Sequence, residues 1–367
     1  MRRRIVVVPR VVDGENHNAQ NLNAKSLLAR FDSDGCTWVA THYGRPDSDV
    51  LNRRNVRLVR LWRHPFSKLR MWLLYLQAAH VLFYPGVEPI DLAGVRWRKA
   101  LYRRRPIVAT LEGLAGTEAT EIQLTQWAGH PVYCQRVDIA TLSRVERILE
   151  LADHVIAISP FLADWGRRRY GEKFSFLPLG IDTAVFYSAF AEKTGRKRVV
   201  AAGRLEMHKR PELFLAMAER MPEADFVWYG DGSMRHTLSQ RAATQGMANV
   251  SFPGGLPPVK LAEEFRRADV LAIPSKSEGV PKVSQEAAAC GLPVVLFGYY
   301  ESPTVKDGVN GFVVWNDEQF VNRVAELLVD SGRASMMGQN GARLGKEWDW
   351  DALAPKWEST ITGVIGR

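Results

Sequence analysis

Four charged side chains in the second half of the chain stand at spacings that suit a phosphorylated, hydroxyl-rich ligand. Arg204 and Lys209 follow the short apolar segment 198–202, and Gly203 between them and the segment permits a close turn. An arginine fork matches phosphate oxygens and a lysine adds a mobile positive charge, so the two could converge on one anion. Basic pairs also occur on ordinary protein surfaces, and spacing alone leaves both readings open. Glu278 and Glu286 lie eight positions apart in PSKSEGVPKVSQEAAACGLP. Glu278 falls in a Gly/Pro-rich loop, where a carboxylate either faces water or grips a ligand. Glu286 falls in a run of small residues that reads as a helix, where a lone carboxylate needs a polar partner. Vicinal hydroxyls donate short charge-assisted hydrogen bonds to carboxylates, so these two could hold two different sugar rings. The amides of Val283 and Ser284, at the start of the same helix, are orphan donors that could take the phosphates between them.

These residues need a rigid frame, and the pattern of the chain supplies one. Short apolar strands are expected at 198–203, 224–229, 249–252, 269–273 and 292–297, with helices at 211–220, 233–243, 260–268 and 283–289 between them. The first half repeats this grammar with longer interruptions: strands at 5–8, 36–40, 56–61, 79–84, 106–110 and 154–159, helices at 23–30, 67–78, 92–103, 141–152 and 160–170. Strands alternating with helices describe a parallel sheet covered on both faces. The polar stretch 187–197 loses periodicity and reads as a linker between two such domains. Two domains joined this way are expected to face each other across a cleft, with ligands beyond the carboxyl ends of the strands.

Size and composition agree with two folded domains. The chain has 367 residues, 46% hydrophobic and 24% charged, beyond the size of a usual single core and unlike a disordered chain. No apolar run approaches the roughly 20 residues that span a bilayer, and the apolar stretch after the basic start is stopped by Pro9 and Arg10; a cytoplasmic location is expected. Cys36, Cys134 and Cys290 are too far apart for a metal pair and read as small buried side chains. The net charge of +9 would reward nucleic acid, an anionic membrane or phosphate-bearing small molecules, but no nucleic-acid-binding motif is present.

In order along the chain, FLPLGIDTAVF, GRLEMHKRPELFLA, YGDGS, ADVLAIPSKSEGVPKVSQEAAACGLPVV and KDGVNGF resemble the large fourth family of retaining glycosyltransferases. The resemblance covers about 153–312 well and the rest loosely. It implies the α/β GT-B fold: two Rossmann-like domains, one at 1–187 completed by 350–367 and binding acceptor, the other at 198–349 binding a nucleotide sugar. It also implies transfer of a hexosyl group from a nucleoside diphosphate sugar, by preference UDP-linked, with retention of configuration. In such enzymes Arg204 and Lys209 would clamp the diphosphate, Glu278 would contact donor-sugar hydroxyls and Glu286 the ribose. Gly203, the turn glycines Gly230 and Gly232, the base region from Ser251 to Gly254, and Pro281, Lys282, Val283 and Ser284 complete the implied donor site. No cofactor or metal is implied, because protein cations and amides neutralise the phosphates.

Three positions depart from the family pattern. Glu112 stands where many members carry a histidine beside the reacting sugar, and a glutamate there can accept a hydroxyl hydrogen bond or act as a base. The amino-terminal glycine loop is replaced by DGENHN, in which Gly14 keeps a close approach to phosphate and Asp13 or His17 could orient acceptor. The acidic residue before KDG falls on Pro303, with Glu301 nearby. The first domain should choose the acceptor, and its mixtures of arginine with large apolar residues, at 53–75 and 96–105, favour an anionic interface and a lipid-linked or cell-surface saccharide. A soluble acceptor, and a non-catalytic sugar-nucleotide- or glycan-binding protein on the same fold, are the alternatives.

Overall fold

The computed structural model describes residues 4–13, 19–32, 35–61, 66–77, 79–115, 139–189 and 195–365. Contacts divide the chain into two compact units. The first takes the described residues up to 180 together with 350–365, and the second takes 181–349. Residues 181–187, assigned above to the first domain, pack with the second because Ile181 and Phe186 are buried in its core and the Ile181 amide bonds to the Trp348 carbonyl at 2.8 Å.

The first unit runs β1 (Arg4–Val11), α1 (Ala19–Leu28), β2 (Cys36–His42), α2 (Ser48–Leu51), β3 (Val56–Arg60), α3 (Phe66–Tyr75), β4 (Val81–Phe83), α4 (Pro89–Leu101), β5 (Ile107–Leu111), α5 (Ile139–Leu151), β6 (His154–Ala157), α6 (Pro160–Tyr170) and β7 (Phe174–Phe176). Its seven strands pair in the order β3-β2-β1-β4-β5-β6-β7, all parallel. Val6, Val7 and Val8 are fully buried, as a central parallel strand covered on both faces requires. Helix α6 shows how local chemistry sets an element's ends: Ser159 caps the Leu162 amide, Pro160 opens the helix, and Gly171 ends it at φ 87°. The three-residue edge strand β7 was not anticipated, being too short to show a period.

Right-handed crossovers place α3 and α4, which follow the chain's reversal at β3, on one face of this sheet. Arg98 of α4 is wholly buried and donates to the carbonyls of Gln77 and Ala79, both at 2.9 Å. It therefore leaves the basic surface cluster to which the sequence assigned it and closes the exit of α3 instead. The last helix, α13 (Trp350–Gly363), belongs to the first unit. Trp357 is fully buried there, its ring centroid 6.4 Å from Phe83 of β4 and its indole N–H on the Pro178 carbonyl at 3.0 Å.

The second unit runs β8 (Arg198–Ala202), α7 (Pro211–Arg220), β9 (Asp225–Tyr229), α8 (Arg235–Thr244), β10 (Val250–Gly254), α9 (Pro258–Arg267), β11 (Val270–Ile273), α10 (Lys282–Ala289), β12 (Val294–Phe297), β13 (Gly311–Val314), α11 (Asp317–Val329) and α12 (Ser331–Gly345). Its parallel sheet is ordered β10-β9-β8-β11-β12-β13. In each unit the strand order reverses beside the first strand, at β1/β4 and at β8/β11. The carboxyl ends of those strand pairs are where such sheets bind ligands. Among the described residues no helix is long and apolar enough to cross a membrane, and Cys36 and Cys290 are buried and free.

Candidate active site

The switch point of the second unit gathers most of the charged residues singled out above. Beyond β8 the chain turns through Gly203 and exposed Arg204 into a short 3-10 turn, Met207–Lys209. Beyond β11 it enters the loop 274–281, and Lys209 of the first segment forms an ion pair with Glu278 of the second. Their side chains are only 23% and 12% exposed. Two charges brought this far from water must have partners, so each holds the other in place across the two loops. The Ser275 hydroxyl ties the same loops by donating to the His208 carbonyl at 3.3 Å and the Ser277 carbonyl at 3.0 Å. Burial, reinforced by the Lys209 charge, lowers the His208 pKa to about 4. The imidazole is thus neutral near pH 7 and adds no charge to the cluster.

Glu286 is on α10, and burial pushes its carboxyl above the usual range, with Lys282 pulling it back. A ligand that donates hydroxyl hydrogen bonds would favour the ionised form. Pro281 precedes α10 as its cap residue. Ser284 corrects the sequence reading. Its amide donates to the Pro281 carbonyl at 2.9 Å and its hydroxyl lies 2.5 Å from that of Thr304, so it is not the free donor expected there. The Val283 amide has no backbone partner among the described residues.

The glycines of the next turn have a packing role. A Cβ on Gly230 would stand 1.9 Å from the Gly203 carbonyl oxygen, and one on Gly232 2.4 Å from that of Leu205. They let the exit of β9 lie against the exit of β8. At the end of β10, Ser251 is exposed and Gly254 is buried. The Arg235 guanidinium is held over this strand end by the Phe252 carbonyl at 2.9 Å and by Asp231 at 2.6 Å.

In the first unit Glu112 follows β5 and accepts a hydrogen bond from the Tyr84 hydroxyl. Burial, and then the Glu112 charge, push that phenol well above its ordinary pKa, so it stays a donor. Asp13 is engaged structurally: its carboxylate accepts from the Tyr43 amide at 3.0 Å and the Gly44 amide at 3.3 Å. Gly14 and His17 lie outside the described residues, as does Cys134.

Two family models cover nearly the whole chain, one described as Glycosyltransferase Family 4 over residues 26–185 and one as Glycosyl transferases group 1 over residues 186–344. A curated relative, the GDP-mannose-dependent alpha-(1-6)-phosphatidylinositol monomannoside mannosyltransferase of Mycobacterium tuberculosis, is 32% identical over 268 residues, 64% of this chain and 68% of the relative. The chain belongs to glycosyltransferase family 4. Solved structures agree on the fold of this glycosyltransferase. A sucrose-phosphate synthase from Thermosynechococcus elongatus superposes with a TM-score of 0.79 at 19% identity, over 99% of each chain. Anabaena HepE in complex with UDP-glucose gives 0.72 at 16% identity, over 98% of this chain and 99% of that one. Both are GT-B enzymes, and the two parallel sheets described above are that architecture's two Rossmann-like domains.

Arg210, Lys276 and Asp317, beside the Lys209–Glu278 pair, were not singled out in the sequence. Arg210 and Lys276 flank the Lys209–Glu278 pair and share Asp317, with Lys276 at 3.5 Å. Both cations stand over the Phe297 ring, at 5.4 and 5.5 Å. Tyr300 is 4% exposed and its hydroxyl has no hydrogen-bond partner, while burial and then the Glu278 charge raise its pKa well above the ordinary value. Only the fold shows the Tyr300 ring buried on the Glu278 side.

Proposed function

We propose that the enzyme transfers a hexosyl group from a nucleoside diphosphate sugar to an acceptor hydroxyl with retention at the anomeric carbon. The observation that carries this reading is the Lys209–Glu278 pair at the β8/β11 switch point. A cation for the diphosphate and a carboxylate for sugar hydroxyls stand together there, with the start of α10 alongside. As the anomeric bond breaks, negative charge grows on the leaving diphosphate, and Arg204, Lys209 and the Val283 amide oppose it most strongly at that moment. The acceptor oxygen attacks from the face the diphosphate leaves, and its proton passes to the leaving phosphate. Transfer proceeds without a metal in this proposal, so activity persists in excess EDTA.

The family's breadth favours UDP as the carrier, and the relative named for GDP-mannose makes that the competing donor. A titration at fixed salt with UDP-glucose, UDP-galactose, UDP-N-acetylglucosamine and GDP-mannose separates them. The reading predicts binding of one donor by the wild type, weakened about tenfold or more by Glu286→Ala, followed by turnover whose product keeps the anomeric configuration by NMR. Absence of binding and turnover with every donor would sink the proposal.

A lipid-linked or cell-surface acceptor and peripheral action at the cytoplasmic face of a membrane are part of the same proposal. Phe66, Leu69 and Leu73 of α3 and Trp97 and Leu101 of α4 are exposed large apolar residues, and Lys68, Arg96, Arg103 and Arg104 are exposed among them. Such a mixture suits anionic head groups. Sedimentation with phosphatidylglycerol vesicles, and not with phosphatidylcholine alone, is the expected result.

A further inference from the structure

A cavity of about 720 Å³ opens in the first unit at the carboxyl end of β1, lined by Arg10, Gln20, Lys68, Met71, Glu88 and Asp91 among others. Its volume is that of a small-molecule site, and it lies at the β1/β4 switch point. Arg10 is 8% exposed. Its guanidinium donates through Nε to the Tyr84 carbonyl at 3.0 Å, through one terminal nitrogen to Gln20 at 2.7 Å, and through the other to the Pro85 carbonyl at 2.8 Å. The Tyr84 ring lies beneath it at 4.2 Å. All these partners are uncharged. Of the five N–H groups of a guanidinium, one on each terminal nitrogen is left without a partner among the described residues, and no carboxylate there forms an ion pair with it.

Among the described residues, no acid of the cavity bonds to the guanidinium. Asp91 spends its oxygens on the Tyr75 hydroxyl at 2.8 Å and the Glu88 amide at 2.9 Å; burial raises its carboxyl above the usual range, while those bonds and the Arg10 charge draw it back. Glu88 is exposed at the rim. A desolvated guanidinium without a counter-charge is costly, and two N–H groups on adjacent nitrogens match two oxygens of one phosphate. Lys68, exposed on α3, adds a second cation at the cavity's edge.

We propose that this cavity binds a phosphate ester carried by the acceptor, with Arg10 on the phosphate oxygens and Lys68 at the entrance. The inference rests on the transferase reading for the word acceptor, but the phosphate site stands or falls on its own. The phosphate could belong to a soluble phosphorylated sugar or polyol, or to a lipid head group whose chains would meet Phe66, Leu69 and Leu73.

The test is calorimetric titration of the full chain at low salt with sn-glycerol 3-phosphate, and in parallel with vesicles of phosphatidylglycerol in phosphatidylcholine. The wild type is expected to bind at least one probe. Lys68→Ala should weaken that binding five- to tenfold, Arg10→Lys should abolish it without changing net charge, and Lys209→Ala, altered in the other unit, should leave it intact. Saturation by glycerol phosphate alone identifies a soluble acceptor; binding to the vesicles that only Arg10→Lys and Lys68→Ala reduce identifies a lipid one. If neither probe binds, or if both variants bind as the wild type does, the inference is overturned. The calorimetric unfolding transition of the first unit, measured on the same samples, reports its folding, and nucleotide-sugar binding by the wild type keeps the two readings apart: donor bound without phosphate sinks only the cavity, and phosphate bound without any donor sinks only the transferase.

Discussion

The two sheets of this enzyme reverse strand order in the same way, yet they equip the two switch points differently. Beyond β8 and β11 the charges meet in ion pairs contributed by separate segments: Lys209 with Glu278, and Arg210 and Lys276 with Asp317. At the carboxyl end of β1 the buried cation Arg10 is held by carbonyls and an amide, with an aromatic ring beneath it. Lys209 is thus matched before any ligand arrives, and a donor must exchange with the Glu278 carboxylate to reach it. The first unit is positioned but not neutralised, which leaves a place for an anion. One fold can therefore hold a charge ready for chemistry either by a counter-charge or by rigid dipoles, and these fail differently when perturbed.

Four changes sharpen that contrast. Trp357→Ala should have the largest effect, costing about 3–5 kcal/mol in the first unit, because the ring packs behind β4, whose exit supplies the carbonyls that hold Arg10. Differential scanning calorimetry should show that loss while nucleotide-sugar binding by the second unit survives below the transition. Lys209→Met should lower kcat about 10²–10³-fold, the scale of one lost contact to a developing oxyanion. It should also destabilise the fold by stranding Glu278. Adding Glu278→Gln should restore much of that stability and none of the activity, and a double-mutant cycle that shows simple additivity in both would break the account of a coupled pair.

The third change is of pH. Unfolded His208 gains its proton near 6.5, whereas the folded side chain resists until about 4, so acid favours the unfolded state across that window. Stability that is complete above pH 6.5 is lost as the pH falls toward 4, by roughly 2–3 kcal/mol. His208→Gln should flatten this part of a denaturation profile, and an unchanged slope would show that the imidazole is not held neutral. Tyr300→Phe should have the smallest effect and the most telling sign. Removing an unsatisfied buried hydroxyl relieves a desolvation cost of about 1 kcal/mol or more. The melting temperature should therefore hold or rise while kcat/KM for the donor falls a few-fold. A fall in both would mean that the hydroxyl serves the fold and not the sugar.

Much of the frame was readable from residue order. Val6 to Val8, the proline-led starts of α6 and α7, and the small-residue helix α10 with its two spaced glutamates announce themselves because strand burial, helix entry and loop chemistry are local and repeat with fixed periods. The ordered motifs of the second half identify the family for the same reason: they are short contiguous segments, most of them just past a strand end. Ser284, by contrast, looked like a free amide at a helix start, and only the bond to Pro281 shows that it is spent. Arg98 looked like part of a basic surface cluster and is the cap of a neighbouring helix. Glu112 was legible as a departure from a pattern, while its bond to Tyr84 was not.

The sequence by itself determined two parallel α/β units, their family, and the polar residues clustered at one switch point, because those follow from hydrophobic period and contiguous motifs. Tertiary structure decided which of the many arginines is a surface charge, which a helix cap and which a buried cation facing a cavity. The partners that distinguish Arg10 from Arg98 come from segments 10 to 75 positions away for the one and 19 to 21 for the other. A side chain's charge is local, but the free energy of that charge is set by what long-range packing places around it.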